Sequence, residues 1–130
     1  MARAGGLIPG TWIGKRRAGD AERQRAFLSL WDDFDVLITP SLAAPPLRVG
    51  QYENRGALRT FEGVARFTPF TAAVNLSGLP ACIVPTGLSS AGLPLSAQIV
   101  GRPSGEATLL SLAAQFEAER PWADRRPPIS

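Results

Sequence analysis

Three short apolar segments, each bounded by proline or glycine, constrain the fold of this chain most strongly. They cover residues 35–40, 81–85 and 95–100. Segments that are apolar throughout are typical of strands buried on both faces of a sheet. We therefore predict three strands, of which 81–85 and 95–100 are close enough in sequence to form an antiparallel hairpin with a long loop.

Two other segments have the spacing of an amphipathic helix. In residues 20–34 the apolar positions i, i+3, i+4 and i+7 are Phe27, Leu30, Trp31 and Phe34. Asp20 is placed to cap this helix at its N-terminus. We predict that this helix packs on the sheet through Phe27, Leu30 and Trp31.

The second predicted helix covers residues 105–119, with Ser104 as its N-cap and Pro121 beyond its end. We predict that it packs across strands 81–85 and 95–100. Its predicted buried side chains are Leu109, Leu112, Ala113 and Phe116.

The remaining segments predict less regular structure. Residues 1–19 form an irregular lead-in, 41–66 a long surface loop with at most a helical turn, and 121–130 a charged, proline-rich tail. Between 67 and 77, Phe70 and Val74 are spaced to share a helical face. Two clear helices are too few to cover three strands buried on both faces. We therefore predict an α/β fold, with residues 1–130 forming a single partial domain: a partial mixed β-sheet with flanking helices.

The composition excludes several kinds of active site. The 130 residues include no histidine and one cysteine, Cys82. Ser-His-Asp and Cys-His arrangements, imidazole-based zinc sites and internal disulfides are therefore absent. The sequence predicts neither a metal nor a cofactor.

The charge pattern bears on possible partners. The net charge is +3, and the positive residues are arginines apart from Lys15. They are spread along the chain and not interleaved with aromatic residues, so we predict no nucleic-acid binding. No apolar run approaches the ~18 residues of a membrane span, and the N-terminal segment lacks a continuous apolar stretch. We expect a cytoplasmic protein with no membrane contact.

Few residues are candidates for nucleophilic chemistry. Ser89 and Ser90 lie in the predicted hairpin loop, where a polar turn is the simpler interpretation. Lys15 is the sole candidate for an amine base, but its surroundings do not predict the burial that would lower its pKa. Cys82 lies within an apolar strand, as expected for an unreactive core thiol.

Two further groups are candidates for binding ions. The carboxylates of Asp32, Asp33 and Asp35 are consistent with a metal cluster, although a solvated helix end explains them more simply. Residues 101–105 lead into a helix N-terminus, a place where anions bind. Pro103 removes one amide donor there, and the glycine spacing of a phosphate loop is missing.

Four blocks of sequence resemble, in order, the C-terminal part of amidase-signature hydrolases. The first is Phe34-Asp-Val-Leu-Ile-Thr-Pro-Ser, with Ala-Pro-Pro following. The second runs from Asn75-Leu-Ser-Gly-Leu-Pro to Thr-Gly-Leu. The third is Gly92-Leu-Pro-Leu-Ser-Ala-Gln-Ile-Val-Gly-Arg-Pro, and the last is Glu106-Ala-Thr-Leu-Leu. The agreement extends from about residue 20 to residue 122.

This resemblance implies a fragment of an enzyme that hydrolyses carboxamide C–N bonds. The family uses a serine nucleophile, a second serine in a cis peptide and a lysine, all on a Gly/Ser-rich region that has no counterpart here. No catalytic residue can therefore be assigned, and we expect the chain alone to be inactive. The resemblance places Thr68, Asn75 and Gly78 at the substrate pocket of the complete enzyme, which binds a small amide.

Two alternatives remain. The family includes subunits of glutamyl-tRNA(Gln) amidotransferase, which tend to carry an acidic residue seven positions before the asparagine of the second block. Thr68 occupies that position here, which favours a plain amide hydrolase. The other alternative is a non-catalytic binding or scaffold module. In either case, sheet surface left uncovered favours self-association.

Overall fold

The computed structural model describes residues 21–22 and 24–126. The predictions for Asp20, for the lead-in 1–19 and for the last four residues of the tail lie outside this part of the chain. Two compact units meet in sequence between Phe34 and Asp35. No described helix has the length and apolar character needed to cross a membrane.

In the first unit, helical backbone covers residues 24–28 and helix α1, Leu30–Asp33, with a turn at Ser29 between them. The hydroxyl of Ser29 donates to the carbonyl of Ala26 at 2.9 Å, and such a side-chain bond competes with regular helix geometry. The prediction of one continuous helix was therefore wrong at Ser29.

The apolar stripe predicted for this helix is buried only in part. Trp31 is buried, and its ring meets that of Phe27 edge to face with centroids 5.2 Å apart. Leu30 is exposed, contrary to prediction, and Phe34, the last residue of the stripe, is exposed as well. Phe34 lies beyond the last helical residue in an extended conformation, so helical spacing no longer sets its direction.

The second unit contains a sheet of three strands, β1 (Val36–Pro40), β2 (Ala81–Leu88) and β3 (Pro94–Gly101), in the order β1-β3-β2. The α/β fold class and the β2–β3 hairpin are confirmed. We predicted a mixed sheet, but both pairings among the described strands are antiparallel, because the central strand β3 runs opposite to both neighbours.

Strand β2 continues three residues beyond its predicted end at Pro85. Proline lacks the N–H that a ladder requires, so it is tolerated mainly on edge strands and at bulges. Both conditions hold here. Strand β2 has β3 as its one described neighbour, and its register shifts between Pro85 and Gly87.

Three helices complete this unit: α2 (Ala57–Phe67), α3 (Pro69–Ser77) and α4 (Glu106–Glu119). Helix α3 agrees with the spacing of Phe70 and Val74, and Val74 is buried. Helix α2 corrects the prediction of a surface loop over 41–66. It was missed because the polar residues around 51–59 obscured the spacing of Leu58, Phe61 and Val64.

Helix α4 covers one face of the sheet. Val84, Ile99 and Leu109 form the buried core, and six partly buried residues pack around them: Val36, Cys82, Ala97, Leu112, Ala113 and Trp122. Helix and sheet approach closely at Gly101, where an added Cβ would lie 3.1 Å from Leu109 Cγ. The predicted roles of Leu109, Leu112 and Ala113 are confirmed.

Two details of α4 differ from prediction. Its N-cap is Gly105, not Ser104, and no side chain caps it. The N–H of Gly105 instead donates to the carbonyl of Arg102 at 2.9 Å, which closes a tight turn. Phe116 is 37% exposed, because it lies past the core residues and borders an open cleft beside Pro85 and Thr86.

Candidate substrate-binding site

Thr68, the first predicted pocket residue, lies at the junction of α2 and α3, where it caps the end of one helix and the start of the next. Its N–H and its hydroxyl both donate to the carbonyl of Val64 at 3.0 Å. The hydroxyl hydrogen is therefore used within the protein, whereas the oxygen lone pairs can still accept a hydrogen bond.

Asn75 and Gly78, the other two predicted residues, lie on and just after α3. Thr68, Thr71 and Asn75 follow the spacing i, i+3, i+7, which places them along one side of the helix. Asn75 is exposed, and the two threonines are half-buried. We call these three residues the polar row of α3.

Thr71 was missed by sequence reasoning. Its hydroxyl donates to the carbonyl of Thr68 at 3.2 Å and so stabilises the first turn of α3. The signal was present in the i+3 spacing from Thr68, but it becomes informative only when residues 69–77 are known to be helical.

Gly78 ends α3 in the left-handed conformation, with φ 69° and ψ 17°. Residues other than glycine rarely adopt this backbone conformation, so Gly78 sets the direction of the chain into β2. One hydrogen bond then fixes the residue before β2 to the sheet: the carbonyl of Pro80 accepts the N–H of Gly101 at 2.9 Å. Leu79, between Gly78 and this bond, is buried.

The segment after β1 reaches the other end of the polar row. The N–H of Ala43 donates to the carbonyl of Phe67 at 3.1 Å, next to Thr68. Two residues earlier in this segment, the buried Ser41 hydroxyl lies 2.5 Å from the hydroxyl of Ser96 on β3. Both serines line an open groove of about 530 Å³ whose other walls are largely alanine, proline and leucine.

Other hydroxyls and amides in the unit serve the fold. The Gln98 amide is buried in the sheet and donates to the Thr39 hydroxyl at 3.4 Å. The Ser89 hydroxyl accepts the N–H of Leu93 at 3.1 Å, and the Ser89 N–H donates to the Leu93 carbonyl at 2.8 Å. Ser89 therefore closes the hairpin turn, as the polar-turn interpretation predicts.

Among the remaining candidates that the structure describes, no reactive site is formed. Burial raises the pKa of the Cys82 thiol, which packs against the core, so its reactive thiolate is disfavoured. Among residues 21–22 and 24–126 no three acidic or thiol side chains converge as metal ligands would. The Arg102 guanidinium, in the candidate anion loop, forms an ion pair with Asp35 at 3.2 Å. Lys15 lies outside the described residues.

The side chains of the polar row are uncharged hydrogen-bonding groups. Hydroxyl and side-chain amide groups complement the C=O acceptor and the N–H donors of a carboxamide.

Comparison with known proteins shows the family of this chain. The amidase family model matches residues 10–110. The chain is 44% identical over 130 residues to a Mycobacterium tuberculosis protein named "Putative amidase AmiB2". It is 36% identical over 100 residues, 77% of this chain, to a component of the glutamyl-tRNA(Gln) amidotransferase of Geotalea daltonii, and these residues span 20% of that protein.

The solved structures agree in fold. A 6-aminohexanoate cyclic dimer hydrolase complexed with substrate superimposes with a TM-score of 0.76 and 28% identity, over 94% of this chain and 27% of the hydrolase chain. This chain belongs to the amidase family. It spans only 28% of the length of the Mycobacterium relative.

Proposed function

We propose that this chain is the C-terminal part of an amide hydrolase and contributes one wall of its substrate site. The polar row of α3 supports this proposal most directly, because it places Thr68 and Asn75 on one side of a helix that is tied to the sheet. In the complete enzyme, a serine outside this chain would attack the substrate carbonyl. Thr68 and Asn75 would bind and orient the carboxamide.

The substrate class that we infer is a small, uncharged amide. No side chain of the polar row is charged, so the row offers hydrogen bonds but no ion pair to an ammonium or carboxylate group. An amidotransferase component remains the second candidate because of the similarity to the Geotalea protein. The neutral Thr68 favours the hydrolase.

The proposal extends to location and partners. We infer a cytoplasmic protein whose ligand is a small amide and not a nucleic acid, since its arginines form no aromatic-interleaved patch. We also infer that the isolated chain self-associates through the sheet. The outer edges of β1 and β2 have no neighbouring strand among the described residues, and such edges template further pairing.

The test is a chimera in which this chain replaces the matching segment of the Mycobacterium relative. We expect hydrolysis of a neutral carboxamide, with KM raised about tenfold by Asn75→Ala, which corresponds to one lost hydrogen bond of about 1.4 kcal/mol. Ser111→Ala, on the exposed side of α4, is the matched control and should leave KM unchanged. Equal effects of both substitutions would contradict the assignment.

A second variant tests the substrate class. Thr68→Asp adds a carboxylate at the start of the polar row, so it should raise kcat/KM for amides that carry a free ammonium group and lower it for neutral amides. A uniform loss on both substrates would place Thr68 in the fold alone. The 130-residue chain by itself should give no turnover above buffer, because it lacks the Gly/Ser-rich region on which the family carries its serine nucleophile.

A further inference from the structure

Helix α2 is amphipathic, yet none of its 11 residues is buried. Leu58, Phe61 and Val64 are spaced three residues apart and so share one side of the helix. They are 81%, 73% and 42% exposed. We call these three side chains the apolar row of α2. A row of this kind normally faces a partner surface.

Helix α2 contacts the rest of its unit through residues outside the apolar row. Gly63 lies against the ring of Tyr52, so closely that a Cβ at position 63 would collide with it. The Phe67 carbonyl accepts the N–H of Ala43. The helix is therefore attached to its own unit by surfaces other than the apolar row.

The size of the row restricts what can cover it. A helix of 11 residues is about 16 Å long and about 10 Å wide, which gives a footprint on the order of 160 Å². A stable protein–protein interface buries roughly 800 Å² on each partner. Neither an isolated helical peptide nor a second copy that meets this row alone would bind stably. The partner must also cover neighbouring surface.

The comparisons indicate a partner of the required size. The superposition on the cyclic dimer hydrolase covers 94% of this chain, which leaves fewer residues unmatched than α2 contains. At least part of α2 therefore has a counterpart in that longer chain. The chain matches only 28% of the Mycobacterium relative, so the unmatched part is about two and a half times as long as this chain.

We propose that the apolar row of α2 is an anchoring contact for the remaining part of an amidase-family polypeptide. Leu58 and Phe61 would pack against that remaining part, while the polar row of the adjacent helix α3 faces the substrate site. This inference rests on the proposed function, because that proposal identifies the partner as the rest of an amidase. Its test measures binding and not hydrolysis, so the two can fail separately.

The experiment is co-expression of the tagged 130-residue chain with the part of the Mycobacterium relative that it does not match. Retention of the partner on the affinity resin and the Kd of the purified complex are the measurements. We expect retention by the original chain and by Leu110→Arg, whose position on α4 is 69% exposed. Phe61→Arg should weaken binding at least tenfold, and Phe61→Ala should weaken it in the same direction.

Each other result overturns the proposal. If the original chain does not retain the partner, or if Phe61→Arg and Leu110→Arg weaken binding equally, the row is not the anchor. If Phe61→Arg instead converts a dimer of the chain alone into a monomer by light scattering, the row belongs to a second copy. Circular dichroism of each variant checks that α2 remains helical, and Phe61→Ala replaces the arginine variant if it does not.

Discussion

Helices α4 and α2 have opposite relations to the core. Helix α4 places Leu109 at 3% exposure against Val84 and Ile99, although apolar and small residues occur around most of its surface. Helix α2 separates its apolar and polar residues clearly and buries none of them. In this molecule, the amphipathic spacing of a helix does not show whether the apolar side of that helix is buried. Burial depends on the surface that packs on the helix, and the described residues bury no residue of α2.

The largest difference between the two helices should be seen in the free energy of unfolding, which Leu109→Ala in α4 should lower most. Removing this buried leucine leaves a cavity beside Val84 and Ile99 and costs about 2–5 kcal/mol of unfolding free energy. The adjacent Leu110→Ala should change stability by less than about 0.5 kcal/mol. Urea denaturation followed by circular dichroism measures both. Equal costs would mean that α4 does not pack on the sheet as described.

The next largest effect concerns association of the isolated chain. Ile83 is 57% exposed on edge strand β2, so Ile83→Lys should weaken self-association about tenfold, or about 1.4 kcal/mol. The original chain should be oligomeric and should bind an apolar-surface dye strongly. Light scattering and dye fluorescence are the measurements. A monomer with a sharp melt above about 50 °C would instead indicate an independent domain.

A smaller effect tests the attachment of α2. Alanine normally favours a helix over glycine by about 1 kcal/mol, but at position 63 its Cβ collides with Tyr52. We expect Gly63→Ala to be neutral or destabilising in the original chain and stabilising by about 1 kcal/mol in the Tyr52→Ala background. Helix content and denaturation of the four proteins give this cycle. Identical effects in both backgrounds would show that Tyr52 does not pack on α2.

The smallest effect should come from the ion pair between Asp35 and Arg102. Asp35 precedes β1, Arg102 follows β3, and both side chains are at least half exposed. Exposed pairs contribute about 0–1 kcal/mol, so Asp35→Asn should cost no more than that, and the cost should decrease at high salt. Denaturation at two ionic strengths measures it. A cost that is larger and independent of salt would indicate a role beyond the ion pair.

The sequence predicted the three strands well because each strand coincides with a local sequence pattern. Apolar runs bounded by Pro40, Pro80 and Gly101 mark three strands within a few residues. The loop that joins β2 to β3 covers only residues 89–93, so it is shorter than the long loop that we predicted. Strand β2 was longer than predicted, because Pro85 stops a strand only in the interior of a sheet. The pairing of β1 with β3 had no local signal and was not predicted.

The helices and the site were predicted less completely for a different physical reason. Leu109 and Leu112 follow helical spacing and face the sheet, whereas Phe116 follows the same spacing but extends past it. Ser104 resembles an N-cap, but its backbone has φ 60°, and Gly105 takes the capping position. Thr68 and Asn75 came from family resemblance, and their alignment with Thr71 required knowledge of α3.

The arrangement β1-β3-β2 also bears on the order in which this unit folds. The β2–β3 pairing closes a loop of a few residues, whereas the β1–β3 pairing joins segments that are 55 residues apart at Ser41 and Ser96. A loop roughly ten times longer costs about 2 kcal/mol more chain entropy to close. We therefore expect the hairpin to form first and β1 to join it late. Until β1 pairs with β3, the outer edges of both β2 and β3 have no neighbouring strand in the hairpin. A newly synthesised chain is most vulnerable to mispairing during that interval.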